Sequence, residues 1–202
     1  MALEQLKIII TGATGMVGEG VLYECLNHPA VSAVLVINRT PTGYTHAKLK
    51  EIIHKDFFDL RPIAHQLAGY DACFFCLGVT SVGKKEDVYT KFTHTLTMHM
   101  ASLLAQVNPA MSFSYVSGAG TDSTEKGRLM WARVKGKTEN DLMNLPFRQV
   151  VAYRPGIIKP TKGLKFTHKF YHVFAWLFPI MKAINRKSFV TLKELGLSMI
   201  NV

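Results

Sequence analysis

The sequence lacks the features that mark secreted, membrane-spanning and disulfide-stapled proteins. Its apolar runs fall short of the roughly 18 residues that a membrane-spanning helix needs. Residues 1–7 lack the charged, apolar and small-residue regions of a signal peptide. Three cysteines, at positions 25, 73 and 76, are too few for a disulfide framework. We therefore expect a cytoplasmic protein.

Acidic residues are also scarce. The chain has 14 Asp and Glu against 24 Lys and Arg, and a formal net charge of +10. This balance suits an anionic ligand, an acidic partner, a membrane surface or nucleic acid. Nucleic acid is the least favoured of these, because the sequence contains no helix-turn-helix, zinc or RNA-binding motif.

Metal and redox sites find little support in the sequence. Cys73 and Cys76 have C-x-x-C spacing, but they lie in an apolar run that predicts a buried strand. Residues three apart on a strand point to opposite faces, so we interpret both thiols as core residues. The histidines and methionines of residues 94–100 have no acidic or cysteine partner at a usable spacing, and no metal is predicted.

Hydrophobic periodicity predicts one domain over 1–202. Strand patterns at 7–11, 34–37, 49–54, 72–76, 111–116 and 149–153 alternate with helical patterns that include 61–67, 88–107 and 126–144, with helix caps offered at 121–124. Alternating strands and helices form right-handed β-α-β units. The prediction is an α/β doubly wound parallel sheet (a Rossmann fold) with helices on both faces.

The start of the chain carries the main functional motif. An apolar run at 8–11 is followed by Gly12, Gly15 and Gly18, and then by a helical pattern. A strand, a tight glycine turn and a helix N-terminus in this order are typical of a dinucleotide site. Gly12 allows the turn, Gly15 lets the backbone approach a pyrophosphate, and Gly18 lets the helix pack closely on the strand. First-turn N–H groups then face the phosphates.

The end of the second strand bears on the choice of cofactor. An acid at this point binds the ribose 2′-hydroxyl of NAD, whereas a basic residue accommodates the 2′-phosphate of NADP. The sequence has Asn38 and Arg39 here and no acid, and the fork of an arginine suits a phosphate. It therefore predicts NADP, with NAD as the less favoured cofactor.

The order of these motifs resembles the short-chain dehydrogenases/reductases over residues 11–158. The letters at 11–18, T-G-A-T-G-M-V-G, are similar to the T-G-x-x-G-x-x-G of that family. The triplets at 76–78, 134–136 and 154–156 resemble its atypical branch, which includes Tat-interacting-protein-type oxidoreductases and proteins named as epimerases. The motif and the resemblance together predict these cofactor-binding residues: Gly12, Thr14, Gly15, Met16, Val17, Gly18, Asn38, Arg39, Asp56, Phe57, Leu77, Gly78, Val79, Thr80, Lys135, Pro155, Gly156 and Ile157.

The resemblance also implies an active centre, in which one member is replaced. The family uses Tyr-x-x-x-Lys on one helix face, with the tyrosine as general acid/base, the lysine on the ribose, and a serine that orients the substrate oxygen. Ser117 and Lys135 match, but Trp131 stands at the tyrosine position. An indole N–H donates a hydrogen bond but is not a usable acid.

Three explanations for Trp131 stay open. Another group, such as Tyr115 or Ser117 acting through water, supplies the proton. Alternatively, the reaction needs only hydride transfer, as to a flavin or quinone. In the third explanation the protein binds NADPH without turnover, as a sensor or scaffold. The sequence leans toward an oxidoreductase or epimerase-like enzyme and does not name its substrate.

Residues 160–202 predict a small helical extension, which the resemblance places on the substrate side of the cofactor. Residues 166–178 are rich in aromatic side chains and have basic neighbours. They fit the wall of an apolar substrate pocket, an interface with another protein or a second copy, or an anionic membrane surface. His168 and His172 lack a third metal ligand. Residues 191–200 have a helical pattern with no cap beyond it, which predicts a frayed or truncated end.

Overall fold

The computed structural model describes residues 5–166 and 189–202. Its main sheet is entirely parallel, with strand order β3-β2-β1-β4-β5-β6. Its strands are β1 (Leu6–Thr11), β2 (Val31–Asn38), β3 (Leu49–Ile53), β4 (Ala72–Phe75), β5 (Ser112–Val116) and β6 (Gln149–Tyr153). The helices are α1 (Met16–Asn27), α2 (Glu86–Thr90), α3 (Leu96–Val107), α4 (Met130–Met143) and α5 (Leu192–Ile200). The predicted doubly wound fold is confirmed.

The central strand explains why both faces of the sheet are covered. Ile8, Ile9 and Ile10 are fully buried, so successive side chains enter opposite cores. Ile9 joins an apolar cluster with Met100 of α3, while Ile8 and Ile10 join another with Val21 of α1. A strand that is buried on both faces has a continuous run of apolar residues in its sequence, as β1 has.

The strand order reverses direction between β1 and β4. Ile9 pairs with Leu35 of β2 on one side and with Cys73 of β4 on the other. The chain segments that leave the carboxyl ends of β1 and β4 therefore diverge to opposite faces of the sheet. A crevice opens at such a reversal, and ligands of open α/β sheets bind there.

The end of the chain packs against the first helix. A Cβ on Gly20 of α1 would lie 2.7 Å from a Leu192 side-chain carbon, and one on Gly196 of α5 would lie 2.8 Å from a Glu24 carbon. Each glycine thus leaves room for a side chain of the facing helix. Met199 is 2% exposed and Ile200 is 5% exposed. The prediction of a frayed end is therefore wrong, because α5 completes the core over α1.

A small second sheet precedes α5. Its two strands, β7 (Ile157–Lys159) and β8 (Phe189–Thr191), pair in parallel. α5 then begins with a capping box, in which the Thr191 hydroxyl accepts from the Glu194 N–H and the Glu194 carboxylate accepts from the Thr191 N–H. The sequence pattern placed Thr191 inside this helix and did not predict the second sheet.

Several helix boundaries differ from the sequence prediction. The stretch predicted as one helix at 88–107 begins at Glu86 and contains a π-helical turn, Lys91–Thr95, between α2 and α3. The short helix at 61–67 is a 3₁₀ helix, Arg61–Gln66, with a proline in its first turn. α4 begins at Met130 and not at 126, and no side chain caps it. The caps predicted at 121–124 are wrong, because Asp122 there holds a loop by accepting from the Thr124 and Gly127 N–H groups.

The aromatic segment predicted at 166–178, with His168 and His172, lies outside the described residues apart from Phe166. Within 5–166 and 189–202, no helix combines the length and the apolar character needed to cross a bilayer.

Candidate functional site

Two of the three motif glycines are required because the protein's own backbone leaves no room for a side chain there. Gly12 has a φ of +73°, and a Cβ there would lie 2.7 Å from the Leu77 nitrogen. A Cβ on Gly18 would lie 2.2 Å from the Gly12 carbonyl oxygen, so Gly18 packs against the turn itself rather than against β1. A Cβ on Gly15 would have a single neighbour within 4 Å, the Gly12 carbonyl oxygen at 3.4 Å. The absent side chain of Gly15 thus leaves space in front of α1.

The open end of α1 faces a cleft of about 190 Å³. Gly15 is the N-cap, and it provides no side-chain acceptor for the first-turn N–H groups. Such N–H groups and the helix dipole favour an anion. Residues from the ends of β1, β2 and β4 line the cleft: Gly12, Thr14, Gly15, Asn38, Arg39, Cys76, Leu77 and Gly78.

Asn38 provides a direct test of whether this cleft fits a nucleotide. Its side chain is buried, and its Oδ1 accepts a hydrogen bond from the Ala13 N–H at 3.2 Å. Its Nδ2 is a buried donor for which no acceptor is found among the described residues. An unpaired buried donor costs about 1–3 kcal/mol, so an acceptor in the cleft would stabilise this arrangement. The hydroxyl and phosphate oxygens of a dinucleotide are such acceptors.

A second cavity of about 130 Å³ continues from the cleft. Arg39, Leu77 and Gly78 line both spaces. The predicted adenine-side residues Asp56 and Phe57 line the second one. The structure thus brings ten of the predicted cofactor residues into one continuous site: Gly12, Thr14, Gly15, Asn38, Arg39, Asp56, Phe57, Leu77, Gly78 and Val79.

Sequence reasoning missed several residues of the second cavity. Phe58 and Phe92 meet edge to face with ring centroids 6.0 Å apart, and the Lys91 ammonium lies 5.5 Å from the Phe58 centroid. Leu96 and Lys55 complete the lining. Phe92 and Leu96 are four residues apart in the helical stretch after β4. Residues at this spacing share one helix face, so the sequence could have predicted that the two side chains lie together.

Other predicted residues lie elsewhere at the carboxyl edge. Met16 and Val17 form the half-buried first turn of α1. Thr80 is in an exposed loop, where its hydroxyl accepts from the Val82 N–H. Pro155 and Gly156 line a separate cleft between the end of β6, β8 and α5. Ile157 begins β7 and is 42% exposed.

The residues that the resemblance implies for an active centre lie at the end of β5 and in the first half of α4. Ser117 is 8% exposed, and its Oγ lies 2.9 Å from the Thr121 Oγ1. The Thr121 hydroxyl donates to the Gly118 carbonyl at 2.8 Å, so Ser117 must be the donor in the bond between the two hydroxyls. The Trp131 ring covers this turn, since a Cβ on Gly120 would lie 3.4 Å from it.

Lys135 points toward the same edge of the sheet. Its Nζ donates to the Val116 carbonyl at 3.3 Å and lies 5.2 Å from the Tyr115 ring centroid. Burial lowers the pKa of Lys135 to about 8, and the negative charge of Glu139 only partly opposes this. Glu139 is bound by Arg154, whose Nε lies 3.0 Å and 3.1 Å from the two carboxylate oxygens. Lys135 thus has no ion-pair partner in the described part of the chain.

Tyr115, one of the alternative proton donors raised by the sequence, is in the core. It is 1% exposed and packs in the apolar cluster with Phe75. Burial raises the pKa of Tyr115 well above its usual value, and the phenol is hydrogen-bonded to Thr138. This tyrosine does not face the cleft.

The two cysteines of the C-x-x-C spacing lie on opposite faces, as predicted. Cys73 is fully buried, whereas Cys76 is half-buried and lines the nucleotide cleft, so the core prediction holds fully only for Cys73. Burial raises the pKa of Cys76 to about 12 and that of Cys73 well above its usual value. Both thiols stay protonated at neutral pH, which disfavours thiolate chemistry.

Glu19 is a buried acid that sequence reasoning overlooked. Its carboxylate accepts hydrogen bonds from the Tyr44 hydroxyl at 2.6 Å, the Lys165 N–H at 2.5 Å and the Phe166 N–H at 2.7 Å. It thereby joins the first turns of α1 to the loop that follows Arg39 and to the segment after β7. Glu19 is an acid on an otherwise apolar face of α1, and from this pattern the sequence could have predicted a buried, hydrogen-bonded carboxylate.

Comparison with known proteins identifies the family. Residues 8–128 match the NAD dependent epimerase/dehydratase family. The chain belongs to this family. Protein HTATIP2 of Rattus norvegicus is 25% identical over 158 residues, or 77% of this chain. Protein fmp52-1, mitochondrial, of Aspergillus oryzae is 32% identical over 155 residues, or 74% of this chain. This chain of the NAD dependent epimerase/dehydratase family spans 64% of the length of each relative.

Solved structures agree on the fold of this family member. A short chain dehydrogenase from Burkholderia cenocepacia, in complex with NADP, has a TM-score of 0.67 at 12% identity. The similarity covers 99% of this chain and 84% of that one. Structures of similar fold include complexes with NADP and with NAD+, so the fold alone does not choose between the two nucleotides. The resemblance to atypical short-chain dehydrogenases/reductases is confirmed.

Proposed function

We propose that this family member binds NADP(H) and is an oxidoreductase that acts on a small-molecule substrate. Arg39 carries the cofactor part of the proposal, because it follows β2 directly and lines both the phosphate cleft and the adenine-side cavity. No carboxylate stands at the end of β2 to bind a ribose 2′-hydroxyl. A planar, permanently charged guanidinium suits the 2′-phosphate that distinguishes NADP from NAD.

Each part of the chain has a separate task in this proposal. The first turn of α1 holds the pyrophosphate, Asn38 donates from its Nδ2 to an oxygen of the nucleotide, and Lys135 binds the nicotinamide ribose. When bound, the reduced cofactor supplies a hydride. Ser117 orients the substrate oxygen once its hydroxyl turns away from Thr121.

Trp131 supports an alternative function. The indole occupies the position of the family's acid and cannot release a proton at neutral pH. A chain with an intact nucleotide cleft and no tyrosine there is also suited to bind NADPH without turnover, as a sensor or scaffold. The two functions differ in one measurable outcome, which is oxidation of bound NADPH by an added acceptor.

The experiment titrates the protein with NADPH and with NADH, following cofactor fluorescence, and then adds carbonyl, quinone and flavin acceptors. We expect tight binding of NADPH, weak binding of NADH, and oxidation of NADPH by at least one acceptor. Tight binding without oxidation by any acceptor would favour the sensor. Absence of binding by either nucleotide would overturn the proposal.

The matched variant is Arg39→Ala, for which we expect a loss of NADPH affinity of roughly 10- to 100-fold, because a charge-assisted hydrogen bond contributes about 1.5–3 kcal/mol. Affinity for NADH should not change. Arg61→Ala is the control, since Arg61 is paired with Asp59 and 84% of its side chain is exposed. An equal loss for both nucleotides in Arg39→Ala would contradict the assignment of the 2′-phosphate to Arg39.

A further inference from the structure

Four side chains near the end of β5 carry an O–H or N–H group and are compared as proton donors: Tyr115, Ser117, Trp131 and Lys135. The Tyr115 phenol is buried in the core and hydrogen-bonded to Thr138. The Ser117 hydroxyl donates to Thr121, and its own acidity is too low for proton release without a base. Trp131 has an indole N–H, which is a donor only. Lys135 is the remaining group.

Among the described residues, Lys135 has no ion-pair partner, unlike most buried lysines. Glu139, one turn further along α4, would be its natural ion-pair partner, but Arg154 binds that carboxylate with both its Nε and a terminal nitrogen. The ammonium has three N–H groups, and the described residues offer it one acceptor, the Val116 carbonyl at the end of β5. Two N–H groups remain for a ribose and a substrate oxygen.

We infer that Lys135 Nζ is the proton donor of this chain, in place of the tyrosine hydroxyl that Trp131 replaces. The inference rests on the proposed oxidoreductase function. In carbonyl reduction the hydride adds to the carbonyl carbon, the C=O π pair moves to the oxygen, and that oxygen takes a proton from the Lys135 ammonium. The neutral amine that results takes a proton from solvent, which restores the starting state.

The charges around Lys135 support proton release near neutral pH. Glu139 on α4 is the charged group that acts on Lys135, and its carboxylate is bound by Arg154 at the end of β6, while Tyr115 on β5 stays protonated. Burial is then the dominant influence, and it brings the pKa of Lys135 to about 8. A general acid is most effective when its pKa lies near the working pH.

The test uses two variants of the full chain: Lys135→Arg and, as a control, Lys137→Arg. Arginine keeps a cation for the ribose but cannot release a proton at any working pH. Lys137 lies on the same helix, with 48% of its side chain exposed and paired with Asp141. Because Lys135 also contacts the ribose in the proposed function, we expect Lys135→Arg to weaken NADPH binding by up to about tenfold and, at saturating NADPH, to reduce carbonyl acceptors at least 100-fold more slowly. Lys137→Arg should match the parent in both.

A measurement independent of activity follows the lysine Nζ resonances by NMR as the pH is raised from 6 to 11, with Lys135 assigned from its loss in Lys135→Arg. We expect a midpoint near 8 for Lys135, well below that of the other lysines, and a carbonyl reduction rate that falls above the same pH. A midpoint above 9.5, or parental turnover in Lys135→Arg, would overturn the inference while leaving NADPH binding intact.

The remaining outcomes separate this inference from the proposed function. NADPH binding without reduction of any acceptor by the parent protein would overturn the proton-donor role and favour the sensor. Failure of the parent to bind either nucleotide would overturn the proposed function, and the inference with it.

Discussion

At the scale of single residues, Trp131 is the residue on which the proposed function depends most. Trp131 and Lys135 lie one turn apart on α4, and the Trp131 ring covers the Ser117–Thr121 turn. By the resemblance, Trp131 stands where the family has its general acid, so the proposed oxidoreductase lacks one functional group of that active centre. A single substitution can supply this group.

Trp131→Tyr should raise the reduction of carbonyl acceptors at least tenfold, because a phenol beside an ammonium is a better acid than an indole. The measurement is NADPH oxidation with a panel of aldehydes, ketones and quinones. Trp131→Phe is the control, since it changes the ring without adding a hydroxyl. If Trp131→Tyr is no more active than Trp131→Phe on any acceptor, a missing acid is not what limits this protein.

At the scale of elements, small residues decide how the helices meet their neighbours. Gly136 lets α4 approach the loop after β5, since a Cβ there would lie 1.8 Å from the Asp122 carbonyl oxygen. The same loop carries Thr121, which accepts from Ser117. Packing of α4 on this loop therefore sets the position of Ser117 relative to Trp131 and Lys135.

Gly136→Ala should destabilise the protein by about 1–3 kcal/mol or more, because backbone has to move to relieve the overlap. For a chain of this length each kcal/mol lowers Tm by roughly 2–4 °C, which calorimetry measures. Lys137→Ala, at the next and exposed position, should change the stability by no more than about 0.5 kcal/mol. Equal Tm values for the two variants would mean that α4 and the loop can separate without cost.

The capping box of α5 offers a second prediction at this scale. Thr191→Ala should cost about 1 kcal/mol, because the Glu194 N–H loses its acceptor at the helix N-terminus. Thr191→Ser keeps the hydroxyl and should stay near the parental stability in urea unfolding. If Thr191→Ala unfolds at the parental urea concentration, α5 does not unfold together with the rest of the molecule.

At the scale of the whole molecule, the charge of Lys135 links stability to pH. The pKa of Lys135 is about 8 in the folded chain, below the value of about 10.4 for an unfolded lysine. Below pH 8 both states hold the proton, and the folded state bears the full cost of the buried charge. Between pH 8 and about 10.4 the folded state loses the proton first, so this cost disappears and stability rises with pH.

Lys135→Met should therefore stabilise the nucleotide-free protein at pH 7, by up to about 3 kcal/mol, which is the free energy of a pKa difference of this size. The gain over the parent should shrink as the pH is raised from 8 to 10. Thermal unfolding of both proteins across this range measures the difference, with Lys137→Met as the exposed control. A gain that is constant with pH would mean that the Lys135 charge is not buried.

The sequence alone determined the fold class, and it predicted the loops that line the candidate nucleotide site. Both depend on local chemistry: apolar runs that predict buried strands, a glycine turn whose φ only glycine adopts readily, and a strand end that carries Arg39. The rule that ligands bind at the carboxyl ends of parallel strands then predicted which loops converge. Ten of the predicted cofactor residues line one continuous site for that reason.

Only the tertiary structure decided which partners the side chains have. The pairing of Glu139 with Arg154 joins residues 15 positions apart, and the bond from Glu19 to Lys165 spans 146 positions. No periodicity encodes such contacts, because they depend on how distant elements dock. Packing of α5 on α1 through Gly20 and Gly196 arises in the same way. The resemblance placed Lys135 at the site, while its burial without an ion pair follows from packing around α4.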